Sequence, residues 1–306
     1  MTDSFVQLSL TPILIGVLAS CACALPGNFL VLRRQSLMGD AISHVAFPGI
    51  VAAFLLTGTL AAWPMLIGAA GAAIVAVGLI ELIRRLGNID PGAAMGVVFT
   101  TMFAAGVLLL EQTGARNVHL DVEHALYGNL ESLIWLKGTS WAALTDPEAL
   151  AALPPQLGRL ALVLLAVAAF TAAFWKELLI GTFDPTFAAS VGARPGLVSA
   201  GLVVTVAVAA VAAFDAVGSI IVIAMFICPA ASARMMTDRM GPQIGWSLVF
   251  AALAAVMGFV LAAYGPLWLG GRHSLSAAGM IAAVSGAILA GAALCGPRRK
   301  GTRAAA

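Results

Sequence analysis

The sequence predicts an all-α polytopic membrane protein with 8–9 transmembrane helices, and three observations predict it. Of 306 residues, 61% are hydrophobic and only 10% charged, where a soluble domain carries roughly 25% charged residues. Mean hydropathy is +1.01, and apolar runs of the ~20 residues needed to span a bilayer recur along the chain. Gly contributes 32 residues while aromatics make up 7%, the composition of helices that approach closely through small side chains in lipid. A net charge of +2 offers no footprint for nucleic acid. Residues 1–306 read as one transmembrane domain.

Each span follows from where charge is missing. Residues 4–32 carry no Lys, Arg, Asp or Glu and form the first, which Pro26-Gly27 is expected to bend or interrupt. Leu18-Ala19-Ser20-Cys21 looks like a lipoprotein cleavage site, but the segment before it holds Asp3 and no cation, so a retained helix is expected. The second span starts near Leu37, and Pro48-Gly49 should kink it one turn beyond His44. Thr57-Gly58-Thr59 is a turn, the third span ends near Glu81, and 81–91 is a polar connection. The fourth span covers 92–110, and a long polar segment follows over about 112–158.

The fifth span is expected at 160–175, the sixth at 196–213, the seventh at 216–233, the eighth at 242–263 and the ninth at 275–295. Between the fifth and sixth, Asp184-Pro185 reads as an N-cap with proline at the first helical position, and Gly192 as a C-cap. One short helix over about 183–192 is therefore expected. Phe183, Phe187 and Val191 recur there every four residues, an apolar stripe on a solvated helix. The tail 297–306 is basic.

Basic residues near span ends set the orientation. With Arg33-Arg34 in the cytoplasm and nine alternating helices, Arg84-Arg85, the 176–194 insert, Arg234, Arg239 and the tail all fall inside. Only Arg116, Lys137, Arg159 and Arg272 fall outside, which places the N-terminus out and the C-terminus in. One helix fewer breaks the alternation, and eight arise if the first or fifth is broken. Cys21, Cys23, Cys228 and Cys295 lie in apolar segments at no disulfide or zinc-knuckle spacing and read as packing residues.

The stretch that organises the chain is Arg33-Arg34-Gln35-Ser36-Leu37-Met38-Gly39-Asp40-Ala41-Ile42-Ser43-His44-Val45-Ala46-Phe47-Pro48-Gly49. Asp40 and His44 sit four apart, on one helix face, at the head of a segment that is charge-free to Ile80. An acid and an imidazole are expensive to bury in a membrane, so they mark a functional site by default. Carboxylate oxygen and imidazole nitrogen are also ligands that divalent transition metals accept.

With Leu32 added, that stretch resembles the signature of the manganese/zinc/iron permease family of ABC importers. Further likenesses follow in order. Asn88-Ile89-Asp90 with Ala94-Met95-Gly96-Val97-Val98-Phe99 resembles the family's third-to-fourth helix connection. Val118-His119-Leu120-Asp121 with Glu123-His124-Ala125-Leu126-Tyr127-Gly128-Asn129-Leu130 is similar to its external segment in manganese-type members. Phe183-Asp184-Pro185-Thr186-Phe187-Ala188 with Val191-Gly192 resembles its cytoplasmic coupling helix. Asp215-Ala216-Val217-Gly218-Ser219-Ile220 with Pro229-Ala230-Ala231-Ser232-Ala233 resembles its seventh helix. The likeness runs over about 10–299.

The resemblance implies a vitamin-B12-importer-like (type II) ABC permease fold in a bacterial inner membrane, moving manganese, or next zinc or iron, by alternating access. It implies a second permease subunit, identical or merely similar, two cytoplasmic ATPase subunits, and an external metal-binding protein that delivers the ion. No cofactor is held permanently. The chain itself has no G-x-x-x-x-G-K-[ST] run, so it is not expected to be an enzyme and ATP hydrolysis belongs to another chain.

Each candidate site carries more than one reading. Asp40 and His44 are read first as transient ligands of a passing cation, since conduction needs weak binding; a helix-to-helix hydrogen bond or a proton relay uses the same residues. His119, Asp121, Glu123 and His124 form the densest ligand-capable cluster. They are read first as a solvated loop or delivery-protein surface, and second as a metal-attracting vestibule. Asp215 is read as a cap at the external start of the seventh helix, with a pathway role second. Phe183, Asp184, Phe187, Val191 and Gly192 are read as a helix-in-groove contact with the ATPase, against packing onto the membrane domain. His273, beside Arg272, reads as a surface residue. The rival functions are a proton-coupled carrier using Asp40 and His44 as relay and, more weakly, an intramembrane metalloenzyme, for which no H-E-x-x-H is present.

Overall fold

Helices that must satisfy every backbone group internally leave little room for anything else, and the described residues are accordingly mostly helical. The computed structural model describes residues 5–35, 38–59, 61–87, 89, 91–112, 130–138, 140–268, 270 and 275–297, and no strand occurs among them. The elements are a π-helical turn at Val6–Leu10 and then α1 Thr11–Leu32, α2 Met38–Thr57, α3 Ala62–Gly87 and α4 Pro91–Gln112. After two short 3-10 turns come α5 Pro147–Ala151, α6 Pro155–Ala173, α7 Trp175–Phe183, α8 Pro185–Ser190 and α9 Pro195–Val217. The chain continues through α10 Ser219–Met236, α11 Met240–Trp268 and α12 Ala277–Cys295.

Among the described residues, seven helices are long and apolar enough to cross a bilayer, from Val6–Leu32 to Ala277–Cys295, and His44–Thr57 and Ile221–Met236 are shorter apolar helices. Their outward faces carry Leu56, Leu86, Ile67 and Leu165 at 67–87% exposure, a surface that water would penalise and lipid accepts. This is a multi-pass membrane protein.

Several boundaries differ from the sequence expectation. α1 passes through Pro26 without interruption; Asn28 Nδ2 donates to the Ala24 carbonyl oxygen at 2.8 Å just beyond the proline. α2 likewise runs through Pro48. α3 continues to Gly87 because Leu82, Ile83 and Leu86 extend its apolar pattern past Glu81. The region expected to be a polar connection before residue 159 holds α5, capped by Asp146 accepting from Glu148 N at 3.0 Å, and the start of α6. The expected fifth span breaks at Phe174, and α7 carries the chain on to Phe183.

The chain forms two compact units. The first comprises Met1–Asn28, Glu123–Ala166 and Ala213–Ala306. There α10, α11 and α12 pack on one another, and Gly258 presses on the backbone of Ile281 so closely that a Cβ would sit 2.5 Å from its Cα. Gly27 meets the Phe226 carbonyl with no room for a side chain. Asn28, Gln243 and Ser247 are fully buried. Asn28 donates to Ser247 Oγ at 2.7 Å and accepts from Gln243 Nε2 at 3.1 Å, the interhelical hydrogen bonding that stands in for the hydrophobic effect in lipid. Trp135 is fully buried with Val6, Ala143 and Ala149, and its indole N–H donates to the Ala149 carbonyl at 2.8 Å. The Glu131 carboxylate accepts from Ala277 N at the start of α12.

The second unit comprises Phe29–Val122 and Val167–Ala212. Its centre is α2 packed between α3 and α4. Gly49 of α2 and Gly68 of α3 face each other, and a Cβ on either would run into the other's carbonyl. A Cβ on Gly106 of α4 would lie 2.9 Å from Pro48. The helix of interest is thus held by backbone contact on two sides.

Candidate functional site

The site is built on α2. Asp40 and His44 both lie within this helix, one turn apart along its backbone. The side chain of Asp40 lies outside the described residues. His44 is exposed, and its ring meets Phe103 of α4 edge-on, centroids 5.4 Å apart at 77°. Phe103 in turn leans on Phe47 at 5.5 Å. Edge-to-face contact sets the plane of the imidazole, while Pro48·Gly106 and Gly49·Gly68 fix the helix that carries it. Phe103 and the two glycine contacts could not be read from the sequence as site elements, because their partners are distant in the chain.

The corner before α2 is equally specific. α1 ends with Gln35 N donating to Leu30 O at 2.9 Å and Arg34 N to Val31 O at 3.2 Å, the paired closure of a Schellman motif. Arg34 occupies its left-handed position at φ +58, where glycine is the usual residue. Arg33 is half-buried. Its Nε donates to Thr182 Oγ1 at 3.0 Å and its Nη1 to Ser199 Oγ at 2.8 Å. Burial lowers its pKa from the ordinary guanidinium value, yet a group that starts so high stays charged. Alongside, Phe29 packs edge-on to Trp175 at 6.4 Å.

The short helix α8 is closed at both ends by its own residues. Asp184 Oδ1 accepts from Phe187 N at 2.8 Å, and Pro185 occupies the first turn. Gly192 sits at φ +83, with Gly192 N donating to Ala189 O at 3.2 Å and Ala193 N to Ala188 O at 3.0 Å. Ala188 is fully buried, while Phe183, Phe187 and Val191 are 60%, 53% and 56% exposed. Phe183 is the last residue of α7, so the apolar stripe spans two elements and not one helix as the spacing alone suggested.

Asp215 requires a correction. It lies in the last turn of α9, not at the start of the following helix, whose N-cap is Gly218 at φ +85. Gly218, at positive φ, makes the break, so position 215 falls inside α9 and not at the head of α10. His119, Asp121, Glu123, His124 and His273 lie outside the described residues. Among the described residues, no three His, Cys, Asp or Glu side chains come together to hold a metal.

The profile described as the ABC 3 transport family matches residues 6–135 and 149–293. The manganese transport system membrane protein MntD of Bacillus subtilis (strain 168) is 38% identical over 282 residues, 92% of this chain and 90% of that one. The zinc transport system membrane protein TroD of Treponema pallidum (strain Nichols) is 38% identical over 286 residues, covering 94% of this chain and 73% of its own length. The fold is similar to a chain of PsaBC from Streptococcus pneumoniae in complex with Fab, with TM-score 0.74, 24% identity, and 95% and 92% of the two chains covered.

Proposed function

This chain belongs to the ABC 3 transport family, and we propose that it is the membrane permease subunit of an importer for divalent transition metal ions. The observation that carries the reading is an acid and an imidazole one turn apart on α2, in a chain whose relatives are named for metal transport. Manganese is the proposed cargo, with zinc next and iron after it. Identity does not separate the first two at 38% each, but this chain spans 90% of the manganese-named relative and 73% of the zinc-named one.

In the proposed mechanism an external binding protein delivers the ion, and Asp40 and His44 contact it in transit. Carboxylate and imidazole offer the oxygen and nitrogen that such ions accept, and a site with few ligands releases what it binds. Two permease copies, identical or similar, would supply two such pairs. ATP is hydrolysed in partner subunits that dock on α8, whose exposed Phe187 and Val191 suit a hydrophobic groove. The seven long spans and two shorter apolar helices among the described residues support nine crossings. The type II arrangement and the bacterial inner membrane follow from the family reading, and the N-terminus outside from the placement of basic residues.

The test is radioactive manganese uptake in a transport-deficient cell that also expresses the ATPase and binding protein, with zinc and iron as competitors. Wild type should accumulate manganese only with all partners present. His44→Ala and Asp40→Asn should lose uptake while still assembling with the ATPase. Uptake without any ATPase would point to a proton-coupled carrier, and normal uptake in both variants would remove Asp40 and His44 from the pathway.

A further inference from the structure

We propose that Arg33 is a positioning residue of transport, tying the corner that leads into α2 to both arms of α8, so that displacement of α8 reaches Asp40 and His44. The proposal rests on the reading of α8 as the ATPase contact.

One guanidinium makes the tie. Thr182 lies on α7, two residues before the Asp184 cap of α8. Ser199 lies on α9, the helix that follows α8. Arg33 donates to both hydroxyls, at 3.0 Å and 2.8 Å. The segments entering and leaving α8 therefore meet at a single side chain. Thr182 Oγ1 donates its own proton to the Leu178 carbonyl at 2.6 Å, which turns its lone pairs toward Arg33 and fixes which partner donates.

The chemistry requires arginine. Two acceptors on two helices are reached from one rigid planar fork, whereas an ammonium is a point charge on a flexible stem. Arg33 is half-buried, and two of its five N–H donors, on Nε and Nη1, go to these hydroxyls. On the other side, Arg33 is five residues from Met38, the first residue of α2, and the intervening corner is closed by the Schellman hydrogen bonds and by Met38 N donating to Gln35 O at 3.0 Å. Phe29, near the end of α1, adds an apolar contact with Trp175 of α7 one turn before Arg33. Among the described residues of the corner, Arg33, Arg34, Gln35 and Met38 each donate a backbone hydrogen bond, so each is tied to its neighbours.

The test compares wild type, Arg33→Gln, Arg33→Lys and the double variant Thr182→Val/Ser199→Ala in the complex reconstituted with the ATPase and the binding protein. ATP hydrolysis and manganese uptake are measured in the same proteoliposomes, and hydrogen exchange is followed over 175–201. Arg33→Gln and the double variant should assemble and hydrolyse ATP within about twofold of wild type. Each loses charge-assisted hydrogen bonds, so uptake should fall about tenfold and ATP spent per ion rise by the same factor. Arg33→Lys, able to hold one hydroxyl, should fall between. Exchange should rise on both flanks of α8. Unchanged coupling, or ATPase and uptake falling together, would overturn the proposal, since plain structural glue gives no change in their ratio. A wild-type complex that moves no divalent metal refutes the functional reading, and unchanged exchange in the variants refutes the tie itself, so the two failures are distinct.

Discussion

His44 combines three properties: it stands in an apolar segment, it is exposed, and its ring meets Phe103 edge-on. Replacing Phe103 with Leu keeps the bulk and removes the edge-to-face contact, worth about 0.5–1.5 kcal/mol. Manganese uptake should persist with a raised KM, read from uptake against metal concentration, because the imidazole remains but is no longer held. That Asp40 and His44 lie one turn apart on one helix was legible in the sequence, because their spacing and charge-free surroundings are local facts. Arg33 was legible only as part of a basic pair. Its hydroxyl partners lie 149 and 166 residues away, and no periodicity reports a contact at that separation. Asn28 and Gln243 were missed for the same reason, although a lone amide in an apolar helix is itself a signal for a buried interhelical bond.

At the scale of elements, short-range chemistry was read well and long-range packing was not. The α8 caps follow from Asp184, Pro185 and Gly192 alone, and the structure places each of them as the sequence implied. Asp184→Ala removes one cap and should cost about 1 kcal/mol of local stability, seen as faster hydrogen exchange over 185–190 and weaker ATPase association. The misplacement of Asp215 arose because an acid beside an apolar run resembles a helix start, while Gly218 holds the actual break. The α2–α3 crossing gives a sharper prediction. Gly68→Val forces a side chain into the Gly49 carbonyl, and overpacking of that kind costs about 1–3 kcal/mol or more. The variant should melt earlier in detergent and lose uptake. Gly71→Ala, three residues along the same helix with nothing within 4 Å of its added Cβ, should do neither.

At the scale of the molecule, charge placement and hydropathy predict an orientation that labelling can check. In a background without the four native cysteines, Val191→Cys should react with a membrane-impermeant maleimide only from the cytoplasmic side, and Leu136→Cys only from outside; both positions are exposed, at 56% and 70%. Reaction of both from one face would mean that an odd number of crossings does not separate them. The bare contact of Gly49 with Gly68 also limits how this molecule can work. Sliding would bring Ala53 and Ala72, one turn along on each helix, toward the place the two glycines keep bare, so the crossing resists translation. A transport stroke in α2 is then expected as a tilt about that crossing, a lever on a fixed fulcrum, with Asp40 and His44 on the arm that begins at Met38.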